Sequence, residues 1–305
     1  MRAFGDERMA SANGIELCYQ EMGDADGEPL LLVMGLATQM IAWDEGLCAL
    51  LAERGFRVVR FDNRDIGRST KIESAGVPRR ADLMLGRRAG APYLLRDMAA
   101  DTVGLMEHLD IESAHVVGAS MGGMIAQTMA VEHSERVRSL VSIMSNTGSR
   151  WTGLPSRRAM SVLLGPRPQG REAAIERAVK TFRVIGSPGY PFDEERVRRI
   201  AGLSYDRGHS AAGVLRQLHT ITASGDRTQA LRGVRAPTTV IHGNRDVLVR
   251  PAGGRATARA IPNARLKMID GMGHDLPRRL WPVFAEEIAA TAARAGRTES
   301  AKQPA

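Results

Sequence analysis

Two cysteines in 305 residues are too few for a disulfide framework. Cys18, in a predicted strand, and Cys48, in a predicted helix, read as reduced, buried small hydrophobes of a cytosolic protein. Aromatic residues are equally scarce, at 4%, which removes the stacking platforms that single-stranded nucleic acids require, and no nucleic-acid-binding module is recognisable. Lysine is confined to Lys71, Lys180, Lys267 and Lys302, so the formal net charge of +8 rests on arginines scattered through predicted helices and loops. An arginine-rich codon bias gives the same pattern, and no nucleic-acid partner is expected. The charge is compatible with weak association with an anionic lipid surface. Apolar runs are broken by Gly, Ser or Gln well before membrane-spanning length, which argues against stable membrane insertion. The segment from Met1 to Ala10 carries Arg2, Asp6, Glu7 and Arg8 with no apolar stretch behind them, so a secretory signal is not expected and the location reads as cytoplasmic. No Cys or His cluster has metal-ligand spacing, and neither a nucleotide-type glycine fingerprint nor a phosphate loop is present. No metal and no cofactor are therefore expected, and the oligomeric state is not legible.

What the chain does have is an alternation of strands and helices, the pattern of an α/β fold with a doubly wound, mostly parallel sheet covered on both faces. Ile15 to Gln20 reads as an edge strand, and Leu30 to Met34, Val58 to Phe61, Ala114 to Val117, Val137 to Met144, Thr238 to Gly243 and Arg265 to Ile269 as further strands. Helices are predicted near Ile41 to Arg54, Tyr93 to Leu109, Met121 to Glu132, Ala252 to Ala260 and Leu280 to Ala293. Between about Thr147 and Arg232 the alternation stops: no convincing strand occurs, and helical stretches such as Ser156 to Leu164, Glu172 to Val184 and Gly213 to Ile221 are interrupted by Gly, Pro and Arg. This divides the chain into a core, 1–146 with 233–294, a helical insertion, 147–232, and a flexible polar tail, 295–305.

Chemistry concentrates in three loops. Gly118-Ala119-Ser120-Met121-Gly122 follows an apolar run and precedes an apolar-periodic segment, so Ser120 reads as the tip of a strained strand-to-helix turn, a nucleophile elbow. A serine hydroxyl is a poor nucleophile at its free pKa, and such a turn lifts it clear of the backbone at a helix N-terminus. The strand Thr238 to Gly243 leads to Asn244-Arg245-Asp246, and the strand ending at Ile269 leads to Asp270-Gly271-Met272-Gly273-His274. Nucleophile, acid and base thus follow in the chain order Ser, Asp, His, one of three orders known for serine hydrolases.

With Leu31-Leu32-Val33-Met34-Gly35-Leu36, Phe61 to Thr70 and Gly271 to Pro277, these motifs make the sequence, from about Gly14 to about Ala290, resemble the α/β-hydrolase fold superfamily. Within it, the chain is similar to the branch of small bacterial serine esterases and lipases that includes aclacinomycin methylesterase. The resemblance implies a helical cap after the sixth strand and hydrolysis of esters with an apolar acyl or alkyl part. Ser120 would attack the carbonyl, His274 would act as base and then acid, and Asp246 would orient the imidazole. The backbone N–H groups of Leu36 and Met121 would form the oxyanion hole, their side chains lining the pocket. This chain has Met34-Gly35 where the family commonly has His-Gly. A cofactor-free haloperoxidase or perhydrolase, thioester or C–C bond hydrolysis, and a non-catalytic ligand-binding member of the fold are the alternatives.

Other polar residues receive structural readings. Asp62, Arg64 and Asp65 are expected to satisfy a turn by hydrogen bonds and an ion pair. Asp275 reads as a surface or helix-capping carboxylate, because neighbours in sequence do not readily face each other. His242 is placed toward the core end of its strand. Arginines of the loop from Pro78 to Arg88, with Arg157, Arg158, Arg177 and Arg183, read as solvated surface residues, with a positive pocket mouth as the functional alternative.

Overall fold

The protein is represented by a computed structural model, which describes residues 4–79, 81, 82, 88–163, 165 and 168–300. An eight-stranded sheet runs through it: β1 (Arg8–Ala12), β2 (Ile15–Met22), β3 (Glu28–Val33), β4 (Phe56–Phe61), β5 (Ala114–Ala119), β6 (Val137–Ile143), β7 (Thr238–Gly243) and β8 (Arg265–Ile269), in the order β1-β2-β4-β3-β5-β6-β7-β8. β2 pairs antiparallel with both β1 and β4, and every later pairing is parallel. The expected edge strand, Ile15 to Gln20, therefore lies one place inside the sheet. The edge is β1, joined to β2 by Asn13-Gly14 with φ of 51° and 76°, the left-handed pair that a two-residue hairpin requires.

Central strands buried on both faces need apolar residues at every position. In β3, Leu31 and Val33 pack with Met98, Met106, Ile125 and Met129 under α2 (Leu95–His108) and α3 (Met121–Glu132). The alternating Leu30 and Leu32 pack with Trp43, Leu51, Phe284 and Ile288 under α1 (Glu45–Ala52) and the C-terminal helix, Trp281–Ser300. That helix continues beyond Ala293 into what the sequence suggested was a tail from 295, because Ile288, Ala292 and Ala295 keep one apolar face buried. Residues 301–305 lie outside the described residues. Cys18 and Cys48 are free and buried, and burial first of all pushes both thiols up to about 12.

Between β6 and β7 lie α4 (Arg157–Leu163), α5 (Arg171–Ile185), α6 (Glu194–Arg207) and α7 (Ala211–Ala223). Three match stretches expected from sequence. The fourth, α6, is strongly charged with only Gly202 fully buried; the Asp193 side chain caps it and Arg198 reaches Glu194 at 2.9 Å. After β7 and β8 come α8 (Pro251–Ala260) and α9 (Trp281–Ser300). Among the described residues no helix is long and apolar enough to cross a membrane.

Two buried ion pairs fasten the inserted helices to the turn after β4. Asp65, wholly buried and at φ 71°, accepts from Arg216 of α7 at 2.6 and 2.8 Å and from the Tyr93 hydroxyl at 2.6 Å. Asp62 accepts from both terminal nitrogens of Arg207, at the end of α6, at 2.9 Å, and from the backbone N–H of Met40 at 2.8 Å. Arg64 forks onto Asp101 of α2 with both contacts at 2.5 Å. All three residues thus take structural roles, as the sequence reading held, but their ion-pair partners come from α2, α6 and α7 and not from within the turn. Removing one member of a buried pair strands the other charge, so Arg216→Met is expected to destabilise the fold by about 3–5 kcal/mol. Urea denaturation measures this, and the double substitution Asp65→Asn/Arg216→Met should recover part of the loss.

Candidate active site

The elbow is built by close backbone approach. Ser120 sits between β5 and α3 at φ 56° and ψ −119°, a region that costs an L-residue on the order of 1–3 kcal/mol. Its N–H donates to the Ile143 carbonyl at 2.9 Å, tying the turn to β6. No side chain fits beside it: a Cβ on Gly118 would stand 2.1 Å from the Gly122 carbonyl oxygen, and one on Gly122 would stand 2.0 Å from that of Val33. Ser120 itself remains partly exposed.

The loops after β7 and β8 bring the other two residues to it. His274 Nε2 lies 3.0 Å from Ser120 Oγ and Nδ1 lies 2.7 Å from Asp246 Oδ2. The arrangement places the imidazole proton on Nδ1, facing the carboxylate, and leaves Nε2 to accept from the hydroxyl. Asp246 is almost completely buried, and its Oδ1 accepts from the N–H groups of Leu248 and Val249 at 2.9 and 2.8 Å. Burial alone would raise its pKa, but His274 and the hydrogen bonds from His242 and His274 outweigh it and hold the carboxyl well below the usual carboxylate range. His242 is fully buried on β7. Its Nε2 is 2.7 Å from the Val249 carbonyl and 3.5 Å from Asp246 Oδ2, so it must carry the proton there and braces the acid loop. Sequence reading put His242 toward the core but did not connect it to Asp246; its place four residues before the acid was the available signal.

The loop after β3 lies against the elbow: a Cβ on Gly35 would stand 3.6 Å from Ser120 Oγ. Met34, at the position where the resemblance would place a histidine, is buried, and its carbonyl accepts from Asn63 Nδ2 at 2.8 Å. The backbone hydrogen bonds of this region engage neither the Leu36 nor the Met121 N–H among the described residues. Leu36 is partly buried against the core. Met121 is wholly buried within it, so its side chain lines no open pocket, contrary to the sequence reading.

Asp275 is the clearest departure from expectation. It caps no helix and is half-buried: Ser187 Oγ donates to its Oδ1, and burial first of all raises its pKa, with Ser187 and nearby His274 and Arg196 opposing. A cavity of about 540 Å³ opens beside it, lined by residues that include Phe192, Arg196, Pro277, Arg278 and Arg279. Ser120 does not line this cavity. Of the arginines considered for a positive mouth, Arg177 bonds the carbonyls of Gly165 and Val162, and Arg183 pairs with Glu194. Arg157 and Arg158 are exposed, while Arg80 and Arg87 lie outside the described residues. No group of three or more His, Cys, Asp or Glu among the described residues is arranged to hold a metal ion.

Residues 28–277 match the family model of the alpha/beta hydrolase fold. The chain belongs to the alpha/beta hydrolase fold family. This alpha/beta hydrolase is 29% identical over 304 residues to rhodomycin D methylesterase DauP of Streptomyces sp. (strain C5), covering 93% of this chain and 97% of that protein. It is 26% identical over 281 residues to a non-heme haloperoxidase of Rhodococcus erythropolis, covering 88% and 92%. Among solved structures, the meta-cleavage product hydrolase of Pseudomonas fluorescens IP01 shares the fold, with a TM-score of 0.72, 20% identity and coverage of 94% of this chain and 98% of that one. The expectation of an esterase-type hydrolase resembling aclacinomycin methylesterase is borne out at the level of family and relatives.

The two neighbouring carboxylates separate by mutation. Asp246→Asn should lower kcat by about ten-thousandfold, because an amide facing Nδ1 favours the wrong imidazole tautomer. Asp275→Asn keeps an acceptor for Ser187 and should cost less than about tenfold. Because the Asp246 pKa is depressed, its contribution to stability is present above the unfolded carboxylate pKa and is lost as pH falls through the folded value. Equilibrium unfolding between neutral pH and about pH 3 should accordingly show a smaller acid loss for Asp246→Asn than for the wild type.

Proposed function

We propose that this alpha/beta hydrolase is a cofactor-independent serine esterase acting on carboxylic esters with an apolar acyl or alkyl part. The observation that carries the reading is the continuous relay from Ser120 Oγ through His274 to Asp246, with spacings of 3.0 and 2.7 Å. Ser120 attacks the ester carbonyl while His274 Nε2 takes its proton, and the tetrahedral oxyanion is held by the N–H groups of Leu36 and Met121. Collapse expels the alcohol, which receives the proton from His274, and leaves an acyl-Ser120 that water cleaves by the same relay in reverse. Similarity to a rhodomycin D methylesterase over nearly the whole of both chains supports a carboxylic ester with a small alcohol as substrate. In this reading residues 147–232 form the cap over a core of 1–146 and 233–294.

A second reading has one specific support, the similarity to a non-heme haloperoxidase. On the same triad, hydrogen peroxide would replace water in cleaving the acyl-enzyme and release a peracid. Thioester substrates use the same acyl-enzyme chemistry.

Fluorophosphonate labelling, with a panel of esters graded by acyl and alcohol size, tests the proposal. The wild type should label at Ser120 and hydrolyse an apolar ester; Ser120→Ala and His274→Ala should each lose on the order of a millionfold in kcat. Peroxide-dependent bromination in acetate buffer that exceeds ester hydrolysis would favour the peracid reading. A wild type that neither labels nor hydrolyses any ester would leave a ligand-binding role.

A further inference from the structure

The inserted helices and the segment between them bond directly to the loops that carry the site. The segment 185–190, which leaves α5, lies along the histidine loop and bonds it through Ile185, Ser187, Gly189 and Tyr190. The Ile185 carbonyl accepts from His274 N–H at 2.7 Å, Gly189 N–H donates to the Gly271 carbonyl at 2.9 Å, and the Tyr190 hydroxyl donates to the Asp270 carbonyl at 3.1 Å. The approach is so close that a Cβ on Gly273 would stand 2.2 Å from the Gly186 carbonyl oxygen. Ser187 occupies the centre of this contact. Its Oγ accepts from Gly273 N–H at 2.8 Å and donates its single proton to Asp275 Oδ1, so one hydroxyl grips the residues on either side of His274.

A parallel contact exists on the other side of the elbow. Gln217 of α7 is fully buried, its Oε1 accepting from Ala37 N–H at 3.0 Å and its Nε2 donating to the Arg64 carbonyl at 2.8 Å. Ala37 directly follows Leu36 and has φ 60°, a left-handed conformation that an alanine keeps only when its surroundings impose it. The amide of Gln217 is the group that fixes this peptide. Gln39, two residues on, donates to the carbonyls of Ser204 and Gly208 at 2.7 and 2.9 Å, so the insert also holds the far end of the loop.

We propose that Ser187 and Gln217 are positioning residues of the reaction, Ser187 for the imidazole of His274 and Gln217 for the oxyanion-binding loop at Leu36. The proposal rests on the serine-esterase reading above. Neither side chain reaches the reacting atoms in this role; each acts through a backbone segment whose placement decides whether a reacting group is in range. A displacement of about 1 Å at such a group costs on the order of a hundredfold in rate, and loss of one oxyanion donor costs about a hundredfold to a thousandfold.

The test compares wild type with Ser187→Ala, Ser187→Thr, Gln217→Met and Gln217→Glu on one ester that the wild type hydrolyses, together with Arg171→Ala, which breaks an exposed Arg171–Asp206 ion pair inside the insert. Ser187→Ala and Gln217→Met should lower kcat about tenfold to a hundredfold while KM changes by less than about threefold. Ser187→Thr, which restores the hydroxyl, and Gln217→Glu, which restores the acceptor for Ala37, should each recover activity. Affinity for a boronic acid that forms a tetrahedral adduct with Ser120 should fall in step with kcat in Gln217→Met. Should Ser187→Ala not fold, as judged by circular dichroism, Ser187→Cys, of similar volume but a weak hydrogen-bonding group, takes its place. Wild-type kcat in the substituted enzymes, a loss no larger than in Arg171→Ala, or an effect on KM alone overturns the proposal while wild-type labelling at Ser120 leaves the esterase reading intact. Failure of that reading is recognised separately, by a wild type that does not label.

Discussion

A serine held in left-handed backbone conformation is the constraint around which the rest of the molecule is arranged. The turn from β5 into α3 exists only because Gly118 and Gly122 let the backbone close to contact distance with itself and with β3. The strain at Ser120 is maintained by the hydrogen bond to Ile143 and by packing of the first turn of α3, which contains no exposed residue, against the sheet. The parallel order of β3, β5, β6, β7 and β8 then has a chemical consequence. All their C-terminal ends open on one side, so the loops bearing Leu36, Ser120, Asp246 and His274 meet at one edge although they are far apart in sequence.

Charge has a second organising role, within the fold and not at its surface. The turn after β4 spends Asp62 and Asp65 on arginines brought by the inserted helices and Arg64 on Asp101 of α2, so all three charges end up neutralised within the structure. Such pairs add little net stability, since desolvation offsets much of their attraction, but they admit few alternative partners. They specify where α6 and α7 sit, and hence where Gln217 meets the loop after β3.

Local pattern was enough to identify most of the sheet and to single out Ser120, Asp246 and His274, which the fold brings within hydrogen-bond distance. Ser120, Asp246 and His274 each follow a β-rich run and sit in a glycine-marked loop, and those signals are contained within about ten residues. The hairpin at Asn13-Gly14 carried an equally local signal that the reading passed over, and β1 was missed with it. Other features were not written locally. Asp275 looks like any loop carboxylate until Ser187, 88 positions away, is seen to cover it. Gln217 is an ordinary helical glutamine until α7 is docked, and its contact with Ala37 spans 180 positions. Helix α6, by contrast, carries Val197, Ile200 and Leu203 at helical spacing, a local signal that was passed over among the charges that form its ion pairs and cap. Sequence reading succeeded where chemistry and backbone geometry coincide in one loop, and failed where a residue acquires its role from a distant element.

The two cysteines, noted at first for their scarcity, make the molecule convenient for another purpose. Both thiols are buried and remain protonated far above neutral pH, so they react slowly with maleimides or iodoacetamides. A cysteine placed on an exposed position of α6 and another on the solvent face of α9 would therefore carry a donor and an acceptor fluorophore against a silent background. The native chain is in this sense already prepared for distance measurements between its inserted helices and its sheet, with no preliminary removal of thiols.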